Sequence, residues 1–472
     1  MTLARELVQA LRALSRRSLP PEVVQAATLH FVDALGVGLA ASTSRSGEWW
    51  YQAGRQWAHG GVATVLGQSA GASAADAAMV NGGLIHSLEF DDTHTGSIMH
   101  GSAVVATAAL AAAEASDASV GAMLAAYARG YEALILLGLA APGRFHATGF
   151  QATSVAGTLA AALVAAELQS LSEDQTVAAL GIALSQSSGV MEFLSNGSSV
   201  KSLNPGWAAH GGLIAANLAA CGMTGPETSL DGRWGLFAQF SDDAGAAERL
   251  RGLLSNRGNQ WLMPDAAFKF YPCCHYLHSF IEAAGELSDS GVAAQSISEI
   301  LCEVPAGAAP VICEPWGQVL DPATGHAARW SLPITVAMRF VEGKVDLSSF
   351  EQPASPAVRA LAQRVRWQPL ANARFPERFE ALVRCTMADG SERSIRIDDV
   401  DGNPSRPASP ERVLSKFRDN AGRVLDTEVV QEVASRMCDS SRHASSARAL
   451  GQALRHSYGP RPDIHDSSVS GA

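Results

Sequence analysis

AVVATAALAAAEASDASVGAMLAAYARGYEALILLGL, residues 103–139, decides the fold. Its apolar positions are nearly continuous and are mostly alanine and leucine, broken only around Asp117-Ala118-Ser119. Helices of this texture are apolar around most of their circumference, so they belong in the interior among other helices. The same texture recurs at Val155–Leu168, Asp174–Ser185 and Ala208–Cys221, after which Gly222 offers a C-cap. Upstream, Pro20-Pro21-Glu22 opens a long helix through HFVDALGVGLAAS. The first residues, MTLARELVQALRALSRRSLP, read as an amphipathic helix without the apolar core or cleavage site of a signal peptide.

The pattern changes after Asp265. Ile297–Val304 and Pro310–Cys313 read as strands, and Phe379–Met387 and Glu392–Ile397 flank the hairpin signal Asp389-Gly390. Ser331–Glu342 and Ala357–Arg364 read as helices. Ser409-Pro410-Glu411 starts another through Phe417, and Thr427–Met437 reads as one more. The expectation is a mainly α protein. A large all-helical domain spans 1–265, with 405–440 returning to it. A smaller α+β lid domain spans 266–404, and 441–472 form a loose tail.

The 472 residues exceed one ordinary core, and 35 basic against 46 acidic residues give a net charge of −11. With no basic run, nucleic-acid binding is not expected. Apolar runs such as Ala103–Ala113 fall short of the roughly 20 residues that cross a bilayer, so no membrane association is expected either. Seven scattered cysteines are not a disulfide framework and fit a reducing cytoplasm.

Only four of the 35 basic residues are lysines: Lys201, Lys269, Lys344 and Lys416. Lysine can shift its pKa on burial and do proton chemistry that arginine cannot, so a lysine retained against this bias is a functional candidate. Lys344 and Lys416, in polar surroundings, read as surface residues. Lys201 lies in SSVKSLNPGWAAHGG, ahead of a small-residue helix, and Lys269 in FKFYPCCHYLH, at the expected domain boundary where clefts form. Three acids and two histidines crowd a third segment, Glu89-Phe90-Asp91-Asp92-Thr93-His94 with His100-Gly101-Ser102, at a helix N-terminus that can receive an anion. A fourth is Arg144-Phe145-His146 through Gln151 to Ser154, a glycine-hinged polar stretch.

Two motifs are chance matches. Gly67-Gln68-Ser69-Ala70-Gly71 has the spacing of a nucleophile elbow, but its surroundings are helical rather than a parallel sheet. Gly36-Val37-Gly38 sits inside a helical pattern with no strand before it. Asp91, Asp92, His94 and His100, or Cys273, Cys274, His275 and His278, are competent metal ligands. Neither set has a standard zinc spacing, so no metal ligand is assigned.

NGGLIHSLEFDDTH, HGSAVVATAALA, GYEA, FQATSVAGTLAAAL, KSLNPGWAAHGGLIAA, FKFYPCCHYLHSFIEAA and the SLP of RWSLPITVA, in this order, resemble the MmgE/PrpD family from about Leu3 to Gly422. Its members dehydrate 2-methylcitrate, decarboxylate cis-aconitate or epimerise iminodisuccinate. The resemblance implies a helical domain with a smaller lid, a homodimer, a cleft site between the domains, and catalysis of a small di- or tricarboxylate without metal or organic cofactor. Asp91, Asp92, Thr93, His100, Lys201 and Lys269 match the family's motifs, and with the chemistry of proton transfer this makes Asp91, His100, Lys201, Lys269 and His275 the expected catalytic residues, with His100 the leading acid/base group and His275 a second. Asp92, Thr93, His146, Gln151 and Tyr271 would bind substrate. The chain departs from the family pattern in having Glu89 for aspartate, Gln151 for histidine, Ile334 for the tyrosine of decarboxylase-like members, and Cys274 or His275 at a further histidine position. These departures argue against carrying over cis-aconitate decarboxylation. They leave dehydration, which is favoured, beside epimerisation and decarboxylation. Metal-dependent hydrolysis or lysis and carboxylate binding without turnover stay open as further readings.

Overall fold

The computed structural model describes residues 1–15, 18–195, 198–256 and 260–455. The principal helices are α1 (Leu3–Ser15), α2 (Pro21–Ser42), α3 (Ala74–His86), α4 (Gly101–Ser116), α5 (Val120–Ala140), α6 (Ala152–Leu168), α7 (Glu173–Leu184) and α8 (Leu203–Ala220), then α9 (His278–Asp289), α10 (Leu332–Glu342), α11 (Pro410–Ala421), α12 (Thr427–Cys438) and α13 (Ala447–Leu454). The deciding stretch becomes α4 and α5. They are separated where Asp117 takes a left-handed backbone and Ser119 caps the Ala122 amide. One buried apolar cluster runs from Leu3 to Ala266 and takes in Phe417–Leu454. A second runs from Cys273 to Ile397.

That second cluster is built on one four-stranded sheet of order β2-β1-β3-β4. Its strands are β1 (Ile297–Val304), β2 (Val365–Pro369), β3 (Ala381–Met387) and β4 (Glu392–Ile397). β1 pairs parallel with β2 and antiparallel with β3, and β3–β4 is the expected hairpin. The protein is mainly α with a small α+β part, as its periodicity indicates.

Several local expectations are corrected. Pro310–Cys313 is no strand: Ala309–Ile312 form a short helix, with proline in its first turn. Strand β2 went unread because only Val365 of VRWQP is buried, so no alternation shows. α2 and α5 are long and apolar enough to cross a membrane by composition, contrary to the expectation, but most of each is buried inside the helical core. The tail is not loose from 441. The buried Ala447, Leu450 and Leu454 dock α13 on the core, and Arg455 reaches the Thr64 hydroxyl at 3.0 Å. Residues 456–472 lie outside the described residues. Asn204-Pro205-Gly206 lie in the first turn of α8.

One crossing positions the site. A Cβ on Gly82 of α3 would stand 2.7 Å from the Gly206 Cα, and one on Gly206 of α8 would stand 2.3 Å from the Met79 carbonyl oxygen. The two helices therefore touch backbone to backbone, which only glycine allows. The residue pair just beyond them, Glu89 after α3 and Lys201 before α8, is thereby brought together.

Candidate active site

The segment Glu89–Thr93 leaves α3 and is fixed at both ends. Glu89 has a left-handed backbone, φ 53°, uncommon for a residue with a side chain. Thr93 exchanges two backbone hydrogen bonds with Ala267, 3.0 and 2.8 Å, tying the segment to the entrance of the lid. Lys269, two residues further on, is carried in against Glu89. Its Nζ donates to the Glu89 carbonyl oxygen at 3.3 Å and lies 3.9 Å from Glu89 Oε2. Lys201 Nζ makes a close ion pair with Glu89 Oε1 and sits 5.5 Å over the Trp330 ring. Burial alone would raise the Glu89 carboxyl, but Lys201 and then Lys269 hold it well below the usual carboxylate range.

On the other side of Phe90, Asp91 is fully buried. Its Oδ2 lies 2.8 Å from His86 Nδ1 and 3.4 Å from His100 Nδ1, while Oδ1 has no hydrogen-bond partner. The two imidazoles stand edge to face, centroids 4.8 Å apart. Burial opposes ionisation of Asp91, yet His86 and His100 hold it well below its ordinary value. His100 Nδ1 also lies 3.1 Å from the Asp92 carbonyl oxygen and 3.2 Å from Thr93 Oγ1, and the His100 amide donates to Thr153 Oγ1 at 3.0 Å. Burial lowers the His100 pKa, against the pull of Asp91. Behind His86, the Gln151 amide nitrogen lies 3.3 Å from His86 Nε2, and Gln151 Oε1 accepts from Asn204 Nδ2 at 2.6 Å. His146 Nε2 accepts from the Ala152 amide at the start of α6, 3.5 Å. Burial first, then His100 and Lys201, push His146 down to about 4.

Asp91, Thr93, His100, His146, Gln151, Lys201 and Lys269 are thus gathered around the Glu89–Thr93 segment. Three of the expected residues do not join them. Asp92 turns to His30 Nδ1 at 2.9 Å and caps α4 through the Ser102 amide at 3.0 Å, so it braces the fold rather than binding substrate. His275 is buried against His278 and Phe379, with neither ring nitrogen hydrogen-bonded, and burial drives its pKa well below the ordinary value. An imidazole whose charged form burial disfavours is a poor second acid or base. Tyr271 packs edge-on against His278, 5.1 Å away, and burial pushes its phenol up to about 12.

Lys416 is not at the surface. Its Nζ lies 2.9 Å from Asp33 Oδ1, donates to the Phe90 carbonyl oxygen at 2.9 Å, and sits over the Phe90 ring at 3.8 Å. It holds the site segment from behind. His86 escaped the sequence reading, although a histidine in a small-residue helix five positions before Asp91 was the available signal. Arg329 and His326 escaped it because the lid brings them from far along the chain. The Arg329 guanidinium donates to the Pro272 carbonyl at 2.6 Å and to the Leu88 carbonyl, and burial lowers its pKa to about 10. Burial lowers His326 to about 4, with Glu89 and Lys201 close enough to act on it.

Donor atoms of His86, Asp91 and His100 lie within 4.8 Å of one another, a set that could hold a metal ion. It differs from the set expected from sequence: Asp92 caps α4, and His94 Nδ1 contacts Ser97 Oγ at 2.8 Å. Among the described residues, the Cys273–His278 segment forms no such set. The lid carries a cleft of about 610 Å³ whose one charged lining residue, Arg364, is bound to the Ile297 carbonyl, so it offers no chemistry of this kind.

Two lysines on a buried carboxylate thus stand beside a second carboxylate that contacts two imidazoles, a cluster of charged and titratable groups gathered on one segment. The MmgE/PrpD N-terminal domain matches residues 5–249 and the MmgE/PrpD C-terminal domain residues 271–439, so the chain belongs to the MmgE/PrpD family. It is similar to the cis-aconitate decarboxylase of Homo sapiens, 28% identical over 440 residues, 90% of this chain and 89% of that protein. It is also similar to that of Aspergillus terreus, 26% identical over 444 residues, 89% of each. The enzyme of Mus musculus is 29% identical over 384 residues, 76% of this chain and 74% of that protein.

Proposed function

We propose that this enzyme is a lyase, working without a cofactor, that removes the proton beside a carboxylate of a small di- or tricarboxylate and expels a leaving group, water in the favoured case. The observation that carries this reading is the convergence of Lys201 and Lys269 with the Asp91–His100 pair on one five-residue segment. The Asp92 carbonyl can only accept, so a neutral His100 keeps its proton on Nδ1 and presents the Nε2 lone pair. His100 is the more open member of its pair, 16% exposed against 0% for Asp91. Its lowered pKa keeps it a base at neutral pH. The C–H electrons move into the enediolate, whose charge the lysines balance. They then form the double bond as hydroxide leaves, and the His100 imidazolium returns its proton to make water. Asp91 stabilises that imidazolium.

Decarboxylation is the second reading, favoured by the activity of the relatives, which are cis-aconitate decarboxylases. The chain differs there in Gln151, which is spent on His86 and Asn204, and in Ile334, which is buried without a hydroxyl. Incubation with a panel of citrate-like and malate-like acids in D2O separates the outcomes: an alkene for dehydration, CO2 for decarboxylation, deuterium alone for epimerisation. Binding without any of the three overturns the lyase reading, and loss of activity with a chelator, restored by metal, overturns the cofactor-free one. We place the working unit as a homodimer in the cytoplasm. The exposed apolar residues Val190, Leu194, Val200, Leu203 and Trp207 beside the site support the first, and seven free thiols support the second. Sedimentation at working concentration tests the dimer.

A further inference from the structure

Behind Asp91 and His86 stand two buried amides that the proton chemistry has not used. Asn204 lies in the first turn of α8, Gln151 immediately precedes α6, and His86 is the last residue of α3. Their contacts form one line. Asn204 Nδ2 lies 2.6 Å from Gln151 Oε1, and Gln151 Nε2 lies 3.3 Å from His86 Nε2. His86 Nδ1 lies 2.8 Å from Asp91 Oδ2, which His100 Nδ1 approaches at 3.4 Å from the far side. The backbone holds the amides in place: the Gln151 N–H donates to the Gly189 carbonyl at 2.8 Å, and the Ser154 hydroxyl donates to the Asn204 carbonyl at 3.0 Å.

The chemistry of the groups sets the direction of the line. Asp91 is held well below its ordinary pKa, so it is a carboxylate that only accepts, and the proton of its contact with His86 sits on Nδ1. His86 Nε2 then offers a lone pair and needs an N–H opposite. The amide nitrogen of Gln151 supplies it, and the amide oxygen, turned the other way, accepts from Asn204. An amide has a fixed donor end and a fixed acceptor end, and neither titrates. We propose that Gln151 is a positioning residue: it holds His86 in the tautomer that donates to Asp91 and leaves Nε2 no proton to pass on, so that proton exchange with substrate falls to His100. The proposal rests on His100 being the base of the proposed function. A second proton on His86 would put a positive charge in a ring 4.8 Å from that of His100 and weaken His100 as a base.

The test reverses the line. Gln151→Glu keeps the shape but presents only acceptors to His86 Nε2. Asn204→Asp acts from one link away, because a carboxylate there turns the Gln151 amide round and points its oxygen at His86. Nitrogen NMR of the full chain, labelled at its histidines and held at neutral pH, reads the tautomer, with the His86 signal assigned by its loss in His86→Gln. Deuterium exchange into the citrate-like or malate-like acid that the wild type converts reads the effect on His100. The wild type is expected to carry the His86 proton on Nδ1 and none on Nε2. Both variants are expected to show both nitrogens protonated and exchange slowed about tenfold. A wild-type proton on Nε2, or a His86 signal unchanged in a folded variant, overturns the proposal. So does full-rate exchange by a variant whose His86 is doubly protonated. Should Gln151→Glu fail to fold, Asn204→Asp carries the test by itself. Should the wild type exchange into no acid, the lyase reading falls, and the His86 signals alone still uphold or overturn the direction proposed here.

Discussion

Asp91 and Asp92 are neighbours with opposite fates. Both Asp92 oxygens accept from Ser102, one from its amide and one from its hydroxyl, with Tyr127 Oη 2.6 Å from that hydroxyl and His30 Nδ1 2.9 Å from the carboxylate. Asp91 faces two imidazoles through one oxygen and has no hydrogen-bond partner for the other. Asp92 spends both oxygens on hydrogen bonds that hold the fold, as the cost of an unmet buried charge favours. A carboxylate with capacity to spare, beside a half-open histidine, can stabilise a charge that appears during a reaction.

The largest test of that contrast falls on His100. His100→Gln is expected to lower kcat by about 10³, the scale of a lost general base, with the melting temperature nearly unchanged. Activity within tenfold of wild type would end its assignment as the base. Asp91→Asn is expected to follow it in activity while the fold survives. Asp92→Ala should do the reverse, costing about 3 kcal/mol of stability by stranding His30 and uncapping α4. Denaturant unfolding of the two variants side by side checks this, and equal losses of stability would erase the contrast.

Glu114 extends the comparison to a third buried carboxylate. At the far end of α4 it accepts from the Thr64 amide at 2.7 Å and hydroxyl at 2.6 Å, and lies 3.5 Å from Arg455 of the tail. Burial outweighs these and raises its pKa from 4.5 to about 7. An acid raised on folding favours the folded state below its unfolded pKa, and that contribution is lost as pH rises through the folded one. Wild type should therefore lose up to about 3 kcal/mol between pH 4.5 and pH 7 relative to Glu114→Gln. Parallel stability-versus-pH curves would contradict it. The smallest effect concerns the crossing beneath the site. Gly206→Ala meets the Met79 carbonyl and should cost about 2 kcal/mol while displacing Lys201, read as a raised KM.

The contrast also explains what was legible in the chain. Apolar texture revealed the helices because burial on all sides needs it, and the hairpin was visible through Asp389-Gly390 and alternation. Lys269 and Lys201 stood out by scarcity, but the same scarcity gave no sign that Lys416 would be drawn in by Asp33, 383 residues away. Adjacent letters could not say which aspartate faces the histidines. That depends on the direction of the chain as it leaves α3, fixed by the left-handed Glu89 and the bridge to Ala267. His86, Arg329 and Asn204 acquire their partners only through packing, so no local motif announces them.

The most direct measurement is deuterium exchange in D2O at the carbon next to a carboxylate of a bound acid, in wild type and His100→Gln. The expected result is incorporation by the wild type and its loss in the variant, with binding of the acid retained. Incorporation by both at equal rates, or by neither while the acid is bound, would contradict proton transfer by His100 at this site.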